Sequence, residues 1–306
     1  MRVLVTGGAG FIGSNLAKCL AGDGHDVTVV DDFSSAHWAN LVDFKGDIVT
    51  ADTAQPGGGV ASLPPFEIIF HQASITDTTV HDARRMMHNN VEAFRHLLDL
   101  AVRWNSRVVW ASSASIYGRR QPPNSEVQPP DPLNVYAFSK LTMERLADRY
   151  RDRLKQPIVG LRYFNVYGPG EDHKGKFASM IHQLAKQMRA GQRPRIFAPG
   201  DQKRDFVYVD DVLQANLKAA AAKAGGVYNV GCGHAFSFNE VVTELNRALG
   251  TDLQPDYFAN PYSFTQDWTE ANVGESRKAL GYEPRFDLHK GIAAYHESGK
   301  LGTSIT

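Results

Sequence analysis

The chain is poor in cysteine: only Cys19 and Cys232 occur in 306 residues, and no C-x-x-C spacing is present. That excludes a disulfide-stapled scaffold and a cysteine zinc site, and fits a reducing, cytoplasmic setting. Cys19 falls within a helical pattern and is expected in the core. There is no excess charge of either sign, since Lys+Arg and Asp+Glu both total 33. Neither a nucleic acid nor an anionic membrane surface is therefore an expected partner. No apolar run approaches the ~20 residues of a membrane span. No secretory leader is expected either, because the first apolar run starts at residue 2. Internal repeats and low-complexity tracts are lacking too. What remains, 42% hydrophobic and 22% charged residues, is the balance of a globular protein. The length suits one large α/β domain or two closely joined ones.

RVLVT (residues 2–6) is a short apolar run ended by glycines, as a buried parallel strand should be. Residues 11–22 read as a helix with Ile12, Leu16, Cys19 and Leu20 on one face. Strands are expected at 27–32, 67–74, 107–113 and 157–165, and helices at 84–104 and 134–154. This alternation predicts an α/β fold with a doubly wound parallel (Rossmann) sheet. Ligands should then gather at the carboxyl strand ends, where Gly7, Asp31, Ala73, Ser113 and Asn165 fall. The expected division is a dinucleotide-binding domain over 1–165 and a smaller α/β substrate-binding domain over 166–306, with residues near 204–230 returning to pack on the first. In the second part, helices are expected at 176–190, 209–223, 237–249 and 288–299, and short strands at 195–198, 206–209 and 227–230. The Pro-rich stretch 121–132 reads as a surface loop beside the site, and QPGGGV (55–60) as a mobile loop. The apolar faces of 84–104 and 134–154 can pack on the sheet or on a second copy, and a homo-oligomer is expected.

Gly7, Gly10 and Gly13 form G-x-x-G-x-x-G between a strand and a helix, with Gly8 as a fourth glycine. Such a loop lets the backbone approach a pyrophosphate, which meets the helix N-terminus. Asp31 ends the second strand 18 residues beyond Gly13, where an acid can accept from the adenosine ribose hydroxyls. Asp32 is next in the chain, and residues 33–44 hold no Lys or Arg to offset the pair. Two carboxylates would repel a ribose 2′-phosphate, so NAD is expected in preference to NADP. Asp47, in KGDI, can reach the adenine or stand as a solvated loop carboxylate.

Tyr136 and Lys140 are four residues apart, on one face of a helix. A free phenol, with a pKa about 10, is a poor base at neutral pH. A neighbouring ammonium and the cationic nicotinamide ring would both favour the phenolate. Tyr136 could then take the proton of a substrate hydroxyl while the carbinol carbon is oxidised, with Lys140 also holding the nicotinamide ribose. Alone, the pair reads as a surface tyrosine and a solvated lysine; the glycine loop upstream tips it towards chemistry. Ser113 offers a hydroxyl to the reacting oxygen, with Ser112 and Ser115 as weaker candidates.

TGGAGFIG (6–13), ASSASIYG (111–118), the Tyr-x-x-x-Lys pair and RDFVYVDD (204–211) resemble signatures of the extended short-chain dehydrogenase/reductase superfamily, its NAD-dependent epimerase/dehydratase members in particular. NLVDF (40–44), MMHNN (86–90), PLNVYAFSK (132–140), RYFNVYGPGEDHKGKFASM (162–180), QKRDFVYVDDV (202–212) and YSFTQ (262–266) sharpen the resemblance to those epimerases that invert C6 of an ADP-linked glycero-manno-heptose. The resemblance runs from residue 1 to about 285 and implies a sugar-nucleotide substrate. It makes Tyr136 one acid/base and Lys174 a second for the opposite face of the reacting carbon. It assigns the cofactor to Gly10, Phe11, Ile12, Asp31, Asp32, Gln72, Ala73, Ser74, Ile75, Thr76, Asn89, Lys140 and Val166. It assigns the substrate to Ser113, Asn165, Lys176, Gln183, Arg204 and Tyr262, with Phe197, Ala198, Pro199 and Gly200 beside the base or phosphates. Arg204 also suits a diphosphate for its own reason, since a guanidinium fork pairs bidentately with phosphate oxygens. An ion pair with Asp205 competes less well, because strand neighbours point to opposite faces. Lys176 stands where the family usually has a small hydroxyl residue, Gln183 where it has histidine, and His37 where a lysine helps to bind a 2′-phosphate. A UDP-hexose 4-epimerase would need no second base. A 4,6-dehydratase would need an acid pair where this chain has Ser113-Ala114-Ser115. A nucleotide sensor would lack the Ser113, Tyr136, Lys140 set.

Overall fold

The computed structural model describes residues 1–55, 59–80, 82–260 and 267–304. The first part runs β1 (Arg2–Thr6), α1 (Phe11–Gly22), β2 (Asp26–Asp31), β3 (Asp47–Thr50), β4 (Ile68–His71), α2 (Ala83–Met87), α3 (Ala93–Trp104), β5 (Arg107–Ser113), α4 (Val135–Tyr150) and β6 (Ile158–Tyr163). It continues with β7 (Asn165–Tyr167), α5 (Met180–Arg189), β8 (Arg195–Phe197), β9 (Lys203–Tyr208), α6 (Val209–Ala220) and β10 (Gly226–Val230). The last elements are β11 (Ala235–Ser237), α7 (Phe238–Leu249), β12 (Asp256–Phe258), β13 (Trp268–Thr269), α8 (Gly274–Leu280) and α9 (Leu288–Glu297).

Seven strands form one sheet in the order β10-β6-β5-β4-β1-β2-β3, every pair parallel. This is the expected doubly wound sheet, with β10 added at its far edge. The strand residues alternate strictly between faces. Val3, Val5, Val27, Val29, Phe70, Val109, Val159 and Leu161 pack with α1 and α6 on one side. Leu4, Val30, Ile69, Val108, Trp110 and Ile158 pack with α3 and α4 on the other. Each fully buried aliphatic or aromatic side chain here contributes about 1.5–3 kcal/mol. A third apolar cluster, built by α5, α7, α9 and strand β9, lies beside the sheet.

Several expectations change. The strand β3 adds to those expected, because exposed residues dominate its four positions and leave no apolar pattern to read. The helix expected over 84–104 is interrupted by a π turn at His88–Glu92. That turn aims buried Asn90 at the loop after β4, where its amide accepts from Ile75 N–H (2.8 Å) and donates to Ser139 Oγ (2.9 Å). Cys19 is half-buried, lying at the margin of the α1 apolar face. The Pro-rich stretch 121–132 is only partly a surface loop, since buried Asn124 bridges to Ala271. Part of the loop expected at 55–60 lies outside the described residues, while Gly59–Ser62 form a short 3-10 turn.

Candidate active site

The winding of the sheet reverses between β1 and β4, and at their carboxyl ends lies a cavity of about 580 Å3. Its wall begins with the glycine loop. Gly7 has φ +66°, and a Cβ there would lie 2.5 Å from Ala73 N; at Gly13 a Cβ would lie 2.1 Å from Gly7 O. Only glycine lets β1, the loop and α1 close this tightly. Gly10 caps α1 with no side-chain hydrogen bond, and the first turn carries no acid. The first N–H groups of the helix are thus left for an anion.

Asp31, at the end of β2, lines the cavity next to this loop. Its carboxylate accepts from Ala9 N–H (2.9 Å) and Phe33 N–H (2.9 Å), and burial pushes its pKa up against those bonds. Asp32 accepts from the N–H (2.9 Å) and hydroxyl (2.7 Å) of Ser34. Both line the cavity with lone pairs to spare for ribose hydroxyls. Asp47 does not join them. It opens β3 at the strand's amino end, exposed, while Ala51, Asp52 and Thr53 just past its carboxyl end line the cavity. Parallel strands deliver only their carboxyl ends to the site, so Asp52 stands where Asp47 was expected. Gly7, Gly10, Phe11, Ile12, Gly13, Gln72, Ala73, Ser74, Ile75, Thr76, Asn89 and Val166 all line the same cavity. The residues present fit a dinucleotide.

Asn134 caps α4 by accepting from Ala137 N–H (2.8 Å), which sets Tyr136 in the first turn and Lys140 one turn on. Ser113 ends β5, and Ser113, Tyr136 and Lys140 meet at the cavity wall. The Lys140 ammonium donates to Ser74 Oγ (2.6 Å) and Ala111 O (2.8 Å), bridging the ends of β4 and β5. Burial pushes it down to about 7. Tyr136 hydrogen-bonds Ser113, but burial outweighs that bond and raises the phenol. Among the protein's own groups burial therefore outweighs any phenolate-favouring effect of Lys140. Its ammonium lies 5.8 Å from the Tyr136 ring centroid and is itself driven towards neutrality.

Behind this wall Glu144, one turn beyond Lys140, makes a buried bidentate pair with Arg162 (2.8 and 2.7 Å) and accepts from Ser112 Oγ (2.7 Å). Tyr163 OH, Gln72 and Asn216 form a second polar cluster at 2.8–3.2 Å. Sequence reasoning named Ser112 and Gln72 but missed Glu144, Arg162, Tyr163 and Asn216. The 136, 140, 144 spacing could have found Glu144, since the three share a helix face; nothing local marks Arg162 or Asn216.

Lys174 reaches the cavity from a 3-10 turn, Asp172–Phe177, far from α4 in sequence. Its ammonium lies 5.8 Å from the Phe11 ring centroid, and among the described residues it makes no hydrogen bond. Burial lowers its pKa, opposed by Glu171. Glu171, fully buried, accepts from Gly168 N–H (3.1 Å), Ser179 Oγ (2.9 Å) and Ser179 N–H, which fixes the base of this segment.

The other described residues expected at the substrate stand outside this cavity. Lys176 is exposed, its ammonium 5.0 Å from the Phe177 ring centroid. Gln183 spends its amide on Lys176 O (3.2 Å) and Ala178 O (2.7 Å), and adjacent His182 is buried between Tyr295 (2.8 Å) and Asp172 (3.2 Å). Both hold the Lys174 segment to α5, which is a packing task. Asn165 on β7 donates to Asp205 O (3.1 Å). Phe197 ends β8, and Ala198, Pro199 and Gly200 make the turn towards β9, with a cis Ala198–Pro199 bond. Arg204 on β9 donates to Lys203 O (2.8 Å) and lies 5.9 Å from the Phe238 ring centroid. Burial lowers it to about 10, opposed by Asp267, so it stays charged at neutral pH. It does not pair with Asp205, whose carboxylate turns the other way to the N–H groups of Cys232 (2.7 Å), Gly233 (3.0 Å) and Ala271 (3.0 Å). Tyr262 lies outside the described residues. Among the described residues no helix is long and apolar enough to cross a membrane, and no cluster of His, Cys, Asp and Glu could hold a metal ion.

Known proteins are similar to this chain in sequence and fold. An ADP-L-glycero-D-manno-heptose-6-epimerase of Alkalilimnicola ehrlichii is 36% identical over 96% of this chain and 96% of its own length. The crystal structure of ADP-L-glycero-D-manno-heptose-6-epimerase from Helicobacter pylori superposes with a TM-score of 0.92 at 41% identity, covering 97% of this chain and 95% of that one. The UDP-glucose 4-epimerase of Thermotoga maritima, solved with UDP-glucose, superposes with a TM-score of 0.89 at 28% identity over 97% and 98% of the two chains. The sequence model of the NAD dependent epimerase/dehydratase family matches residues 3–231, which span the glycine loop, Asp31, the Ser113–Tyr136–Lys140 wall and Lys174. With those elements assembled around one cavity, the chain belongs to the NAD dependent epimerase/dehydratase family.

Proposed function

We propose that the protein is an NAD-using nucleotide-sugar epimerase that inverts C6 of ADP-glycero-manno-heptose, an isomerase. The observation that carries this reading is that Tyr136 and Lys174, from separate segments, line one cavity with opposite leanings. The phenol is pushed towards its protonated form and the lysine towards its free amine. One acid and one base, set apart by environment, are what a two-sided proton exchange needs.

NAD, when bound, supplies reversible acceptance of hydrogen from the carbinol carbon. The glycine loop and the open end of α1 hold its pyrophosphate, and Asp31 and Asp32 its adenosine ribose, leaving no room for a 2′-phosphate charge. Ser113 and Tyr136 hold the substrate oxygen on one side, and the Lys174 amine takes or returns the proton on the other. Arg204, desolvated and bonded only to a backbone carbonyl among the described residues, is suited to the diphosphate. Relatives named for the heptose support this substrate, against 28% identity to the Thermotoga 4-epimerase. We place the protein in the cytoplasm, and a homo-oligomer joined through the exposed side of α4, where Phe138 is 47% exposed, belongs to the same proposal.

The test is incubation with ADP-D-glycero-D-manno-heptose and NAD, followed by stereochemical analysis of the product. Inversion at C6 is expected, and Lys174→Met should abolish it while leaving NAD binding. Unchanged heptose alongside turnover of a UDP-hexose would overturn the assignment, and full activity of Lys174→Met would remove that residue from the mechanism.

A further inference from the structure

The segment that carries Lys174 comes after β7, yet its attachments lead back to the dinucleotide loop. Asn15, on α1, donates from Nδ2 to Phe11 O (2.9 Å) and Pro169 O (2.8 Å). Asn40, 6% exposed, donates from Nδ2 to Ala9 O (3.0 Å) and lies 3.1 Å from His173 Nδ1. Each amide thus has one hand on the loop that builds the pyrophosphate site and one on the segment preceding Lys174. The Ala9 peptide is held from both sides, its N–H by Asp31 (2.9 Å) and its carbonyl by Asn40. His173 Nδ1 also lies 3.0 Å from Gly170 O, so it accepts from Asn40 when its proton is on Nε2 and donates to Gly170 when the proton is on Nδ1. The ring of Phe11, whose carbonyl Asn15 holds, is the surface over which the Lys174 ammonium stands.

We infer that Asn15 and Asn40 are positioning residues that clamp the Lys174 segment onto the dinucleotide loop, so that the shape of the loop sets where the Lys174 amine stands. The peptides they grip, at Ala9 and Phe11, border the open N–H groups at the start of α1. A ligand that orders those peptides orders Asn40 and Asn15 with them, and through them residues 169–173. By reciprocity, a correctly seated segment favours the loop conformation that binds the cofactor. The catalytic consequence rests on the reading of Lys174 as the second acid/base; the clamp itself does not.

The test is hydrogen exchange on the full chain, with and without NAD, for the unaltered protein, Asn15→Ala, Asn40→Ala and the double variant. NAD is expected to slow exchange in both 7–14 and 169–175 of the unaltered protein. In the double variant it should slow exchange in 7–14 only. Protection of 169–175 that persists in the variant, or that never occurs in the unaltered protein, overturns the clamp. Should the double variant fail to fold, Asn15→Ala, at a half-buried position, removes one clamp and should lose part of the protection of 169–175; protection equal to that of the unaltered protein would overturn the clamp. Turnover should fall by roughly tenfold to 100-fold, as expected for a misplaced catalytic group, while NAD affinity changes by less than about tenfold, the scale of a lost hydrogen bond. Equal losses of turnover and NAD affinity would also overturn it. The exchange result depends on NAD alone, so it stands or falls separately from the identity of the sugar.

Discussion

Replacing Lys140 by methionine should abolish epimerisation and yet make the cofactor-free protein more stable below neutral pH. Lys140 is 1% exposed, and burial moves its ammonium from 10.5, the value of a solvated lysine, to about 7. Between those two values the unfolded chain binds the proton that the folded protein has lost. Stability therefore rises with pH across that window, by about 1.4 kcal/mol per unit. The full effect is present above the unfolded value and is gone once pH has fallen through the folded one. Below neutrality the buried ammonium thus costs about 5 kcal/mol relative to a neutral amine. Methionine removes that cost but also the bonds to Ser74 Oγ and Ala111 O, worth about 2 kcal/mol together. At pH 6 the variant should be about 3 kcal/mol more stable, a rise in Tm of roughly 5–10 °C. At pH 10, just below the unfolded value, it should be less stable than the parent by about 1 kcal/mol, since most of the ammonium cost is gone and the lost hydrogen bonds remain. The assay is urea unfolding of both proteins, stripped of NAD, from pH 6 to 10. A stability difference that does not vary with pH, or a variant that is weaker at pH 6, would refute the reasoning.

A methyl group at position 13 would sit 2.1 Å from Gly7 O, so Gly13→Ala should weaken NAD binding by roughly 100-fold, measured by calorimetry; affinity within a few-fold of the parent would show that the loop can move aside. Glu144→Leu leaves the Arg162 charge, 8% exposed, without its partner and should cost about 3–5 kcal/mol in urea unfolding. Glu144→Leu with Arg162→Met should recover a large part of that cost, and a double variant as weak as the single would contradict the buried-charge account. Arg204→Met should raise the KM for the sugar nucleotide by about tenfold or more, the worth of a lost charge-assisted contact, with NAD affinity unchanged; an unaltered KM would take Arg204 out of the substrate site.

How far the sequence can be read depends on whether the cause of each feature is local. Val3, Leu4 and Val5 alternate between two buried faces, and the same rhythm recurs in the strands at 27–30, 68–70, 108–110 and 158–161. That rhythm, with glycines at the first turn, is enough to place the cavity and the strand ends Gly7, Asp31, Ala73 and Ser113 on its wall, while Gln72, Asn89 and Val166 come only from the family resemblance. The strand Asp47–Thr50 sits at the sheet edge, where burial imposes no such rhythm. Without that strand in place, KGDI leaves Asp47 open to either reading, near the adenine or solvated; the strand puts it at the amino end, exposed. The four-residue spacing of Tyr136 and Lys140 is legible, but its electrostatics are not. Spacing suggests that an ammonium should acidify a phenol. Depth works on both groups at once, raising the phenol and lowering the ammonium, and depth belongs to the fold.

The same reasoning explains why Lys174 emerges from the sequence only through family resemblance. Its environment is assembled from Phe11, Glu171 and the amides of Asn15 and Asn40, which lie in separate stretches of the chain. None of those side chains announces a catalytic role in its own window. An asparagine that caps a helix, such as Asn134, can be read from the helical pattern immediately after it. Asn40, which joins residue 9 to residue 173, can be read only from both ends of its bonds. Groups that perform chemistry on a fixed element are therefore visible in spacing, whereas groups that hold two elements in register become visible once the elements have met.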